Sequence, residues 1–212
     1  MKYISQLEKI LPKAIVLDIS SMGTEFDMNS GEYVEKAKNK TILTKGWEFR
    51  DEKNLKKHSE TLRHFFTPVD GYKHIVRQIF LNLRSQFDCI IGVHIRKGDY
   101  RGWEGGKYFF SDEVYLNRME GLNREVTEQG KTCCFFICSN EAVNQTLFAN
   151  LNTNIEQRHA MVDLYCLAEC DYIMGPPSTF SFWASFYGNK PIHTIKNMNE
   201  AIALDAFSHY YK

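Results

Sequence analysis

From residue 89 onward the chain alternates short, β-branched apolar runs with amphipathic stretches of helical length, and few folds accommodate that alternation. Runs at 89–95, 132–138, 171–175 and 191–195 read as strands. Helical patterns follow at 112–128, in a short segment ending near 149, at 161–170, at 180–187 and near 199–210. Strands that alternate with helices form a parallel sheet covered on both faces, whose buried strands are continuous apolar runs. The expected class is therefore α/β. The chain's 212 residues suit one such domain plus further elements.

Ahead of this region the signals are weaker. Residues 14–19 and 41–44 read as short strands, and 22–31, rich in Gly, Ser, Asn and Asp, as a loop. Residues 51–65 read as a helix with Leu55, Leu62 and Phe65 on one face, stopped by Pro68. Asp70 is expected to cap a second helix running to about Gln86, with Ile75, Ile79 and Leu83 as its apolar stripe.

Charge and cysteine content exclude several partner classes. Lys and Arg number 26 and Asp and Glu number 26, so no global field recruits nucleic acid or an anionic membrane. No apolar run approaches the roughly 20 residues that cross a bilayer. The first residues carry charges inside their apolar part and do not read as a signal peptide. The six cysteines match no zinc spacing and read as small buried thiols of a cytoplasmic protein, possibilities for a metal being set aside.

Three strands end in polar corners: His94–Asp99, Ser139–Glu141 and Gly175–Ser181. In a parallel sheet these lie on one edge, where ligands of open α/β sheets bind. In the first corner His94 and Arg96 share a strand face, and Gly98 permits a tight turn. In the third, Pro176 and Pro177 stiffen the approach to a helix beginning near Phe180. Its free N–H groups, with the hydroxyls of Ser178, Thr179 and Ser181, read either as an ordinary N-cap or as an anion cradle. Arg96 opposite that cradle favours a diphosphate, onto which a guanidinium forks two donors. Asp163, early in the 161–170 helix, complements a helix dipole or accepts from a nucleobase edge or ribose. Glu104, inside Gly102-Trp103-Glu104-Gly105-Gly106, reads as a general base on a lid or as part of a solvated loop. Glu156, Arg158 and His159 have no spacing that demands a role. No DxD motif is positioned to hold a metal, and no metal site is expected.

His94-Ile-Arg-Lys-Gly-Asp-Tyr100 resembles the His-x-Arg-Arg-x-Asp motif of the α1,2-, α1,6- and protein O-fucosyltransferases, most closely the bacterial α1,2 form of glycosyltransferase family 11. Phe135-Phe-Ile-Cys-Ser-Asn140, Val162-Asp-Leu-Tyr165, Cys170-Asp-Tyr-Ile-Met174 and Ser178-Thr-Phe-Ser-Phe-Trp183 are similar to the later motifs, in the same order, over roughly residues 60 to 195. The resemblance implies a GT-B-like glycosyltransferase. Residues 69–212 would be the Rossmann-like GDP-sugar-binding domain, and residues 1–68 a remnant or reduced N-terminal acceptor region. It implies that Arg96 holds the β-phosphate, that Thr179, Phe180 and Ser181 bind the phosphates, that His94 and Asp163 contact guanine, and that Glu104 is the base.

Two departures stand out: Lys97 replaces the second arginine, and the Gly-rich motif that opens the acceptor half is absent. A missing N-terminal half or a partner subunit would then complete the protein. The implied reaction is inverting, metal-independent fucosyl transfer from GDP-fucose, the donor substrate, to a glycan hydroxyl. The alternatives are a non-catalytic nucleotide-sugar-binding domain, or a transferase for another nucleotide sugar. The expected location is the cytoplasm, or peripheral at the inner membrane.

Overall fold

A computed structural model describes residues 14–19, 26–46 and 49–209. The chain divides into two compact units, Met1–Phe65 and Phe66–Lys212. In the first unit, β1 (Ala14–Asp18) pairs in parallel with β3 (Thr41–Lys45), and the two-residue strands β2 (Phe26–Asp27) and β4 (Phe49–Arg50) pair in parallel beside each other. Helix α1 (Gly31–Asn39), which the sequence pattern does not announce, connects β2 to β3 and is capped by the Ser30 side chain. Residues 51–65 are expected as one helix but form two, α2 (Glu52–Lys57) and α3 (Ser59–Phe65). Neither contains a buried residue, so no packed face carries the helix across His58. Of the expected 22–31 loop, residues 22–25 lie outside the described residues, Phe26–Asp27 form β2, 28–30 are a turn, and Gly31 already opens α1.

The second unit opens with α4 (Asp70–Arg84). Its buried stripe is Val76, Phe80 and Leu83, while Ile75 is 45% exposed, so the apolar face is rotated from the expected Ile75–Ile79–Leu83 line. Val69 occupies the cap position. Asp70 is the first helical residue and pairs with Lys73 at 3.0 Å instead of capping. Then follow β5 (Cys89–Ile95), α5 (Asp112–Glu128), β6 (Cys133–Ser139), β7 (Thr153–Ile155), α6 (Ala160–Glu169), β8 (Tyr172–Gly175), α7 (Thr179–Gly188) and β9 (Ile192–Thr194). Short 3-10 turns replace the helix expected before 149 and the one expected near 199–210. In the latter segment Ile202 and Phe207 are buried, and Ser208 bridges antiparallel to Ile192 at the sheet edge. Tertiary packing there overrides helical spacing.

The five strands are all parallel, in the order β7-β6-β5-β8-β9. Alternate residues feed opposite faces. Ile90, Cys134, Phe136, Cys138 and Ile173 pack beneath α4, α6 and α7. Cys89, Ile91, Val93, Ile95, Phe135 and Ile137 pack against Tyr115, Met119, Leu122 and Val126 of α5 and against Ile202 and Phe207. All six cysteines are buried free thiols in these layers.

One close approach fixes the α6–α7 pair. A Cβ at Gly188 would lie 2.0 Å from the Ala168 carbonyl oxygen, so only glycine lets the two helices meet there. The helix is closed one residue later by Asn189, at φ 50°, rather than by Gly188. The N-terminal edge of the sheet is also closed. Arg84 donates to both oxygens of Asp171 at 2.5 and 2.8 Å, and Asp171 in turn accepts from the Ile90 amide at 2.8 Å.

Candidate donor-binding site

Strand order reverses between β5 and β8. The chain runs outward from β5 through β6 to β7, then crosses to β8 and β9 on the other side. The carboxyl ends flanking such a reversal bound the crevice where ligands of open α/β sheets sit. The register brings all three polar corners to that edge: His94 pairs with Cys138, Ile95 with Ser139, and Val93 with Met174.

The first and third corners touch. The His94 ring lies 5.1 Å from the Phe180 ring. The Tyr100 hydroxyl donates to the Pro177 carbonyl, and the Arg96 guanidinium stands 5.5 Å from the Tyr100 ring centroid. Arg96 also pairs with Asp99 at 2.9 Å, and its side chain remains 32% exposed, so it is held in place but not sealed in the scaffold.

The first and second corners are braced by other groups. Gly98 adopts φ 57°, which suits glycine, and the Lys97 amide donates to Asn140 Oδ1 at 2.8 Å. Arg101 forks onto Glu141 at 2.9 and 2.7 Å. Lys97, at the position of the second motif arginine, pairs with Asp112 at 2.8 Å and donates to the Ala142 carbonyl at 3.1 Å. Its ammonium thus ties the start of α5 to the second corner.

Helix α7 begins at Thr179 with Ser178 as N-cap. Ser178 Oγ accepts from the Phe180 amide at 3.3 Å, and the Ser181 hydroxyl donates to the Ser178 carbonyl at 3.2 Å. These hydroxyls therefore build the cap. Among the described residues the Thr179 and Ser181 amides find no protein acceptor, as expected of a helix's first turn, and Thr179 is exposed.

Deeper in the crevice, on the α6 and α7 side of the sheet, lie polar groups that burial should have excluded. His94 is 3% exposed, and its Nδ1 has no partner. Burial, reinforced by Arg96, pushes its pKa down to about 3, so the ring is neutral. Asp163 is 7% exposed, and its Oδ1 has no hydrogen bond. Burial raises its pKa to about 6 against the pull of Arg158. The Arg158 guanidinium lies 4.7 Å from the Phe136 ring centroid, with Nη1 3.9 Å from Asp163 Oδ1 and Nε unpartnered. Unpartnered buried polar groups are rare in native proteins and each calls for an explanation. The three lie on the α6 and α7 side of the sheet, His94 on β5 beside Cys138 of β6 and Arg158 over Phe136 of the same strand, and such a set fits a polar planar ligand. Nothing in the local sequence marks Arg158, because its neighbours come from β6, β7 and α6 rather than from its own segment.

Glu104 lies outside this cluster. It is exposed in a left-handed conformation, at φ 51°, within the 3-10 turn Trp103–Gly106. Its loop reaches the crevice mouth through Trp103, whose ring is 4.7 Å from that of Tyr100. Among the described residues no group of three or more His, Cys, Asp and Glu is placed to hold a metal ion, and no helix is long and apolar enough to cross a membrane.

Among curated proteins none matches this sequence. Solved structures do. A mutant of Arabidopsis thaliana FUT1 in complex with GDP superposes with a TM-score of 0.56 at 13% identity, covering 92% of this chain and 52% of that one. POFUT1 in complex with GDP-fucose gives 0.51 at 10% identity, covering 80% and 59%. The apo-form of POFUT1 gives 0.51 at 10% identity, covering 77% and 57%. This chain thus spans between 52% and 59% of the length of these structures. At such identities the likeness establishes the fold, which is that of the GT-B-like fucosyltransferases. A family model described as glycosyl transferase family 11 matches residues 20–208, nearly the whole sequence. The chain therefore belongs to glycosyl transferase family 11.

Proposed function

We propose that this protein binds GDP-fucose in the β5/β8 crevice and transfers fucose to a glycan hydroxyl, with inversion and without a metal ion. The observation that carries this reading is the junction of the first and third corners. An arginine held at the end of β5 and the open first turn of α7 flank one crevice, which also holds the buried, unpartnered His94 and Asp163. Family membership supports fucosyl transfer, as do solved relatives of like fold bound to GDP or GDP-fucose.

In this reading the guanine rests beside His94 and Phe180, with Asp163 accepting from its edge. The diphosphate lies between Arg96 and the first turn of α7, where the Thr179 and Ser181 amides are free and the Phe180 amide shares its hydrogen between the phosphate and Ser178 Oγ, 3.3 Å away. Glu104 takes the proton of an acceptor hydroxyl, whose oxygen forms a bond to C1 of fucose. The bond from C1 to the β-phosphate oxygen breaks with its electron pair on GDP. A single displacement inverts the anomeric centre. Arg96 and the helix amides act on the charge developing on the leaving diphosphate, the place where preorganised donors lower a barrier most. Residues 69–212 would be the donor domain, and residues 1–68 a reduced acceptor region.

A second reading, a donor-binding domain without transferase activity, is favoured by one observation: among the described residues nothing orients the exposed Glu104 carboxylate. The test is a thermal-shift panel of GDP, UDP, CDP and TDP, followed by a transfer assay from GDP-fucose to a set of glycans. Stabilisation by GDP together with transfer supports the enzyme. GDP binding with no transfer to any acceptor supports the second reading. Stabilisation by UDP and not GDP discards the guanine assignments.

A further inference from the structure

We propose that Arg158 reads the O6 edge of the nucleotide base and, beside Asp163, makes the crevice selective for guanine. This deepens the donor reading above and rests on it. The Arg158 side chain is only 6% exposed although it stands on an irregular segment between β7 and α6. Its Nη2 is engaged by the Asn154 Oδ1 and lies 3.2 Å from Glu156 Oε2, and its Nη1 donates to the Glu156 carbonyl at 3.3 Å. With the Phe136 ring below, the guanidinium is fixed in position. A guanidinium carries five N–H donors. One on Nη1 and the one on Nε remain without an acceptor on the protein.

A scaffold ion pair would turn those donors onto the nearest carboxylate. Arg84 does so with Asp171 at 2.5 and 2.8 Å, and Arg101 with Glu141 at 2.9 and 2.7 Å. Arg158 and Asp163 instead stand 3.9 Å apart, beyond a hydrogen bond, with an unpartnered atom on each side. Burying charges is expensive unless their hydrogen-bonding capacity is filled. The gap is filled by a ligand that offers two adjacent donors to the carboxylate and an acceptor to the guanidinium. Guanine offers that set: N1–H and the N2 amino group, then O6. Adenine sets an amino group against the guanidinium. Uracil sets a carbonyl against the carboxylate. A site whose buried polar groups are left unpaired by the wrong base rejects it strongly.

The experiment is calorimetric titration of the full chain, wild type and Arg158→Gln, with GDP, IDP and ADP. IDP keeps O6 and N1–H but lacks the N2 amino group. Loss of a hydrogen bond to a charged group predicts that Arg158→Gln weakens GDP and IDP alike, by about 10- to 100-fold. ADP should be unchanged, so the GDP/ADP preference collapses. Asp163→Asn should weaken GDP more than IDP. If Arg158 only props the segment, the variant weakens all three nucleotides equally and keeps the preference, which overturns the proposal. The wild type supplies a test that needs no variant. The diphosphate of 2,6-diaminopurine riboside, with an amino group in place of O6 and no hydrogen on N1, loses the contacts to both Arg158 and Asp163 and should bind at least 10-fold more weakly than GDP. Equal binding overturns the role of Arg158 while leaving the donor site intact. No binding of GDP to the wild type overturns both.

Discussion

Asp163 links the crevice to pH with a sign that differs between ligand binding and stability. Burial raises its carboxyl to a pKa of about 6, and the Arg158 guanidinium 3.9 Å away only partly offsets this. A carboxylate accepts from both guanine donors, whereas a protonated carboxyl offers a donor where an acceptor is needed. The ionised fraction falls from about nine-tenths at pH 7 to about one-tenth at pH 5, so GDP affinity should drop by about tenfold, or about 1.4 kcal/mol. His94, with its pKa near 3, stays neutral through this window and adds nothing.

The terminal phosphate of GDP also titrates near pH 6, so the reference is Asp163→Asn. Below pH 6 the wild-type plot of log Kd against pH should be steeper than that of the variant, by up to about one unit per pH unit. Without nucleotide the sign reverses. The folded protein binds a proton on Asp163 that the unfolded chain has already released between about pH 4 and pH 6. The contribution of Asp163 to stability is therefore fully present below pH 4 and is lost as pH rises towards 6. Relative to Asp163→Asn, wild-type Tm should rise on acidification from pH 6.5 to pH 5. Parallel binding profiles for the two proteins would refute the reasoning.

Three further outcomes are expected. Arg96→Ala should weaken GDP binding at least 100-fold, by loss of two charge-assisted bonds of about 1.5–3 kcal/mol each, and abolish transfer. Its exposed pair with Asp99 is worth under about 1 kcal/mol, so chemical denaturation should find the fold intact, and undiminished turnover would count against the phosphate role. Glu104→Gln should remove transfer while leaving the Kd for GDP unchanged, since its carboxylate stands outside the buried cluster; an active variant would move the base elsewhere. Gly188→Ala should destabilise the protein by roughly 1–3 kcal/mol or more in urea, because its methyl would meet the Ala168 carbonyl oxygen at 2.0 Å. A neutral result would contradict the tight α6–α7 packing.

The parts legible in the sequence are those governed by local pattern. Cys89–Ile95 and Asp112–Glu128 are found where the apolar run and the helical spacing put them. The three corners meet at one edge because parallel strands leave no other arrangement. Illegible parts depend on partners distant in sequence. Strand β7 is three residues long and carries no apolar run, so only its pairing with Phe135–Ile137 marks it as a strand. The segment after residue 199 has helical spacing, yet Ile202 and Phe207 bury against the sheet and Ser208 adds to its edge. On α4 the stripe shifts by one position, since Val76 rather than Ile75 meets the core. Arg158 carries no periodic signal. Its surroundings are Phe136, Asn154 and Asp163, which three separate elements supply.

The account rests on one crevice holding both ends of a guanine nucleotide, and a crystal structure of the protein with GDP tests it most directly. The diphosphate should lie between the Arg96 guanidinium and the amides that open α7, with the base against His94 and Phe180 and its Watson–Crick edge towards Asp163 and Arg158. A nucleotide found elsewhere, such as in the groove lined by Val76, Phe80, Tyr165 and Tyr187, or one in the crevice that leaves Arg96 paired only with Asp99, would contradict it.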